Sequence, residues 1–145
     1  MKMSFPPAFD SYKPPHNKVY GCICISQNNK ILLVKGRKGQ IWSFPKGHRE
    51  RSDPTSLACA LRELKEETGI SLQKDYLCSK KFKAAEYYIF QVDDEYRLFP
   101  QDTVEIADAA WLTYEQICGL PKNIDVSLFC QTIEKKILPE VVAAA

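Results

Sequence analysis

The chain has 145 residues and a formal net charge of +2, with 45% hydrophobic and 26% charged residues. That is the size and balance of one globular domain, and it excludes a disordered or collagen-like chain. The small net charge does not by itself point to a polyanionic partner.

Residues 1–17 carry four prolines, Pro6, Pro7, Pro14 and Pro15, and read as an extended N-terminal arm. They contain no apolar run of the kind a secretory signal needs. No stretch of the chain approaches the ~20 apolar residues of a membrane helix. A membrane partner is therefore not expected, and the expected location is the cytoplasm, with or without the nucleus. Residues 18–140 read as a single domain. Its six cysteines, at 22, 24, 59, 78, 118 and 130, include no C-x-x-C pair of a zinc or redox site. They read as free thiols packed like small hydrophobes, which suits a reducing compartment.

From Val19 to Ile25 the chain is rich in strand formers. Gln27-Asn28-Asn29-Lys30 is a turn signal, and Ile31 to Val34 reads as the returning strand of a hairpin. In the first strand Cys22 and Cys24 fall on one face, because side chains alternate. Gly36 to Gly39 reads as a basic loop. Ile41 to Phe44 reads as a short strand ended by Pro45. Asp53-Pro54 is a helix start, with Asp as cap and Pro at the first helical position. Leu57, Ala60, Leu61, Leu64 and Thr68 recur at helical spacing, and Gly69 is a natural stop, so 54–68 reads as a helix. Tyr76 to Val92 is strand material interrupted at Lys83-Ala84-Ala85. Ala109 to Leu112 is a further strand, Thr113 to Cys118 a short helix capped by Thr113, and Ser127 to Leu138 an amphipathic closing helix. Strands and helices mixed in this order predict a single domain, α+β or a three-layer α/β/α.

The central helix breaks a local rule. At 100° per residue from Leu57, Glu63, Glu66 and Glu67 fall within about 100° of one another, roughly opposite the apolar side. Like charges at this spacing oppose helix formation, and the negative end of the helix dipole adds to the conflict. Two readings account for this. The face is solvated, with Arg62 and Lys65 as partners, or it binds a hard divalent cation, which takes carboxylate oxygens and substrate phosphates together. The loop just upstream, which begins with Lys46-Gly47, favours the second. Glycine permits close approach of a ligand, and a backbone carbonyl there is a hard donor.

The run Gly47…Arg62-Glu63-Leu64-Lys65-Glu66-Glu67-Thr68-Gly69-Ile70 resembles the Nudix box, G-x5-E-x7-R-E-U-x-E-E-x-G-U with U apolar. Trp42-Ser43-Phe44-Pro45-Lys46-Gly47-His48 is similar to the family's approach to the box. Glu105-Ile106…Trp111-Leu112 is similar to a later segment that often supplies another carboxylate. There is one departure: Gly47 and Arg62 are one residue further apart than the pattern allows, and Asp53 stands where the first Glu belongs. In the family that Glu ties the loop to the helix through the Arg; Asp53 either takes over this tie or only caps the helix.

The resemblance implies a Nudix fold, an α/β (α+β) domain with a mixed β-sheet between helices, and hydrolysis of a nucleoside diphosphate linked to another group, with Mg²⁺ or Mn²⁺. It implies metal ligation by Glu63, Glu66, Glu67, Glu105 and the Lys46 carbonyl. It implies Glu63 or Glu105 as the general base, Arg62 as the group that orients a helix carboxylate, and structural roles for Gly47, Asp53 and Gly69.

For the substrate, Lys35, Arg37, Lys38, Lys46, Arg49 and Arg51 cluster just before the helix and suit a phosphate-rich partner. Of these, Lys35, Arg37, Lys38 and Lys46, with Trp42 to stack a base, are the candidate substrate contacts. The surrounding string resembles three branches of the family, acting on messenger-RNA caps, dinucleoside polyphosphates and diphosphoinositol polyphosphates. The expectation is a nucleotide or capped RNA, not DNA. A Nudix-fold binding module without catalysis is the non-enzymatic alternative, and the intact carboxylates argue against it.

Overall fold

The computed structural model describes residues 18–132, so the arm at 1–17 and the end of the closing helix lie outside the described residues. The elements run β1 (Val19–Ser26), β2 (Ile31–Gly36), β3 (Trp42–Ser43), β4 (Lys46–His48), α1 (Ser56–Thr68), β5 (Cys78–Lys81), β6 (Glu86–Val92), β7 (Ile106–Leu112), α2 (Tyr114–Cys118) and α3 (Ile124–Thr132).

The seven strands form one mixed sheet. Alternation along β1 divides the core between its faces. Ile23 and Ile25 point to the side covered by α2 and α3, with Phe44, Tyr87, Ile117 and Phe129. Cys22 and Cys24 point to the other side, with Cys59, Ala60 and Leu64 of α1. The sheet is therefore sandwiched between helices, as the resemblance implies. Cys22, Cys24, Cys59, Cys78 and Cys118 are unbridged thiols, and Cys22, Cys24, Cys59 and Cys130 are buried.

The sheet forks in its middle. β1 runs parallel to β6 along its length. On its other side β1 meets β2 at Ile25 and Ile31 but pairs with β4 at Val19 to Gly21. β2 in turn pairs with β3 at Val34 and Lys35. Pro45 sits at the crotch, with no N–H to give to a ladder, and its carbonyl accepts from the Cys22 N–H at 3.1 Å. Lys46 to His48, expected as loop, is thus a strand that fills the fork.

Three other expectations are corrected. The helix starts at Ser56, not at Pro54, and its cap is Thr55, whose side chain accepts from the Ala58 N–H. Asp53 is engaged elsewhere. The closing helix begins at Ile124, with Asn123 Oδ1 accepting from the Val126 N–H at its start. The carboxylate face of α1 is not opposite the buried face but merges with it, because β4 covers that flank: Glu67 is buried together with Ala60, Leu64 and Thr68.

Candidate functional site

The site gathers where the fork opens. A cleft of about 380 Å³ is bounded by Gly36 and Ile41 on one arm of the fork, Lys46 and His48 on the other, Glu67 from α1, and Glu105.

Gly47 lets α1 come this close. A Cβ at this position would overlap the Glu63 carboxyl, so only glycine admits that side chain over the strand. One helical turn on, the Lys46 N–H donates to Glu67 Oε1 at 3.3 Å. Gly69 ends the helix at φ 83° and donates its N–H to the Lys65 carbonyl, a backbone state that favours glycine. The chain after β6 then covers the helix end. The N–H of Phe99 donates to the Thr68 carbonyl, and those of Gln101 and Asp102 donate to the Glu66 carbonyl. These bonds satisfy carbonyls that a helix end leaves open, and they bring Glu105 back to the cleft.

Arg62 organises the flank of α1. Its Nε and Nη2 donate to Asp53 Oδ1 and Oδ2, both at 2.9 Å. This is the two-pronged geometry in which guanidinium and carboxylate bind best. Asp53 thus takes the tie between loop and helix despite the extra residue, and the Glu50 N–H donates to it at 2.8 Å. The Arg62 guanidinium holds the Asp53 carboxyl below the usual range, with the Glu50 N–H acting in the same direction. Arg62 Nη1 also donates to Glu63 Oε2 at 3.1 Å and to Glu66 Oε2 at 3.0 Å.

Two carboxyls carry unfavourable charge. Burial pushes Glu63 up to about 7, with Glu66 adding repulsion and Arg62 opposing it. Burial pushes Glu67 up to about 8, with Glu63 and Glu105 adding repulsion and the Lys46 N–H opposing it. Desolvation disfavours a carboxylate unless a cation is near.

This chemistry is also the test of fit for a divalent ion. Among the described residues no three His, Cys, Asp or Glu side chains already converge as a ligand group, and Arg62 Nη1 is bonded to both Glu63 and Glu66. The donor set is all oxygen and short of positive charge, which suits Mg²⁺ or Mn²⁺ over soft metals.

The expected substrate contacts scatter. Lys46 lines the cleft, and Lys38 is exposed in the loop after β2. Trp42 is buried in the core, 8% exposed, and Lys35 Nζ lies 5.7 Å from its ring centroid. Arg37 is committed to backbone: its Nε donates to the Thr103 carbonyl at 3.0 Å, its Nη2 to the Ile106 carbonyl at 3.3 Å, and its N–H to the Glu105 carbonyl at 2.8 Å. It fastens the segment that carries Glu105. Beside it, the pairing of β2 with β7 shifts register between Lys35 and Gly36. Bulges of this kind re-aim side chains at sites.

His48, Ser43 and Asn123 also line the cleft, and sequence reasoning gave them no role. His48 and Ser43 stand within the quoted motif. Asn123 carries no signal, since only the fold brings it near.

The profile of the NUDIX domain matches residues 15–129. The m7GpppN-mRNA hydrolase of Saccharomyces cerevisiae is 33% identical over 108 residues, 68% of this chain and 11% of that protein. The mRNA-decapping enzyme subunit 2 of Arabidopsis thaliana is 36% identical over 110 residues, 75% of this chain and 26% of that protein. The chain thus corresponds to a small part of these relatives' length. Among solved structures, a Caenorhabditis elegans Ap4A hydrolase is similar with a TM-score of 0.65 at 18% identity, covering 88% of this chain and 100% of that one. The NUDIX domain of Shewanella oneidensis NrtR, solved with ADP ribose, also has a TM-score of 0.65, at 16% identity, covering 89% of this chain and 96% of that one. At such identity these two speak for the fold alone. With the motif from Arg62 to Ile70 in register, the forked sheet built around it and a family profile spanning most of the sequence, the chain belongs to the Nudix family.

Proposed function

We propose that the chain is a divalent-cation-dependent hydrolase that cleaves a phosphoanhydride bond, and that its substrate is the 5′ cap of RNA. The observation that supports the hydrolase reading is desolvated Glu67 at one cleft with Glu105, and desolvated Glu63 one helical turn away against Gly47, which also lines that cleft. The cap is favoured because the relatives named as decapping enzymes are 33–36% identical over this segment.

Glu63, Glu66, Glu67 and the Lys46 carbonyl would hold Mg²⁺ or Mn²⁺, which leaves Glu105 free of the ion. The ion, when bound, neutralises charge on the phosphate oxygens and lowers the pKa of water. Lys46 and Lys38 attract the phosphate chain. Arg62 keeps Glu63 and Glu66 in place through its bonds to both and to Asp53. Glu105 is exposed and lines the cleft, whereas Glu63 is held by Arg62 over Gly47. Glu105 therefore suits the role of general base. It takes a proton from water as the oxygen bonds to phosphorus, and the bond from phosphorus to the bridging oxygen breaks, with that oxygen leaving on the departing phosphate.

The test is product release from capped RNA, a dinucleoside tetraphosphate and a diphosphoinositol polyphosphate, with Mg²⁺ or Mn²⁺ and with or without chelator. Chelator-sensitive cleavage of capped RNA is expected. Cleavage of only one of the other two would replace the cap as substrate. A folded, metal-binding protein that cleaves none of them would favour the binding module.

A further inference from the structure

A second groove, of about 440 Å³, lies beside the cleft and shares Val19 with it. Its other walls include Lys18, Lys81, Lys83, Phe82 and Glu86, so three lysines and one glutamate line it. Strand register places the two features in a row. His48 of β4 is opposite Val19 of β1, Tyr20 is opposite Glu86 of β6, and Glu86 is opposite Lys81 of β5. Three strand spacings separate the cleft from the lysines, about 14 Å at ~4.8 Å each.

The lysine-bearing turn is held in place from below. The Asp125 carboxylate is fully buried. It accepts from the N–H groups of Lys83 and Ala84 at 2.9 and 3.0 Å and from the Tyr87 hydroxyl at 2.7 Å. The turn therefore presents Lys83 from a fixed backbone, next to Lys81 at the end of β5. Phe82, half-buried between them, packs at ring-centroid distances of 6.0 Å from Tyr87 and 6.4 Å from Phe129. Lysines that track a backbone beside an aromatic ring are the makings of a single-stranded nucleic-acid groove.

We propose that this groove takes the RNA chain leaving the cleft, binding its backbone phosphates through Lys18, Lys81 and Lys83. The inference rests on the cap reading and sharpens it. A cap dinucleotide has no phosphate beyond its anhydride chain and gains nothing from the groove, whereas a capped RNA places its first phosphodiesters there. The groove makes substrate length a determinant of rate.

The test joins binding and turnover in wild type and the K81E/K83E double variant. Binding is read as fluorescence anisotropy of a labelled, uncapped single-stranded RNA at about 50 and about 200 mM salt. Turnover is read as kcat/KM on capped RNA and on the cap dinucleotide. The double variant should bind the RNA about tenfold more weakly at low salt, with a salt slope shallower by about 1 to 2. It should lose a similar factor of kcat/KM on capped RNA and none on the dinucleotide. Unchanged RNA affinity and slope would overturn the proposal, as would equal losses on both substrates, which would put these lysines at the cleft. Wild type that cleaves neither substrate, yet binds RNA through these lysines, would overturn the cap reading and leave the groove standing as an RNA site.

Discussion

Glu67→Gln should make the metal-free protein more stable while removing its activity, and the size of the gain should depend on pH. Burial raises the Glu67 pKa from 4.5 to about 8. A carboxyl whose pKa rises on folding binds its proton more tightly in the folded state. Its contribution is therefore fully retained below the unfolded pKa and is lost as pH rises toward the folded one. Over that window the loss is about 1.4 kcal/mol per pH unit, or about 2 kcal/mol between about pH 6 and 8. For a domain of this size that corresponds to a fall in Tm of roughly 5–8 °C. Gln keeps an oxygen to accept the Lys46 N–H and carries no charge, so the variant should lack this part of the fall; Glu63, raised to about 7, contributes its own part in both proteins. The assay is thermal unfolding of wild type and variant across this pH range in chelator, repeated with Mn²⁺. Bound cation stabilises by its occupancy and should raise the wild-type Tm most at high pH, with a smaller effect on the variant. Parallel pH profiles for the two proteins would refute the argument that Glu67 is held as a destabilising buried charge.

Other consequences follow from single contacts. Asp53→Asn removes the charged half of a two-pronged pair with Arg62 and should cost about 1–3 kcal/mol in denaturant unfolding; because folding lowers the Asp53 pKa, wild type should lose this advantage as pH falls through the folded pKa. Gly47→Ala would force the Glu63 carboxyl away from β4 and should lower activity by at least tenfold, with weaker Mn²⁺ binding by calorimetry; wild-type kinetics in that variant would contradict the crowding at Gly47. Arg37→Ala frees the segment bearing Glu105 and should act mainly on kcat, whereas Lys38→Ala, in an exposed loop, should act mainly on KM and fade as salt rises. Equal effects of both on KM would make Arg37 a substrate contact.

Local patterns determined much of this protein. Alternating apolar residues in Val19 to Ile25 sufficed to place Ile23 and Ile25 on one face and Cys22 and Cys24 on the other. The spacing from Arg62 to Ile70 fixed which carboxylates share a flank, and Gly69 marked where the helix stops. These features are legible because they depend on residues within a few positions of each other and on the periods of helix and strand. Tertiary structure decided the rest. Helical phase alone set Glu67 opposite the apolar side, but β4 covers that flank and buries it. Lys46 to His48 read as loop because its strand partner, Val19 to Gly21, lies more than twenty positions away in the chain. Arg37 looked like one more free cation in a basic cluster until the fold brought the carbonyls of Thr103 and Ile106 against it. Charge and hydrogen-bond capacity are written in the residue, but whether either is spent on protein or left for substrate depends on what long-range packing puts beside it.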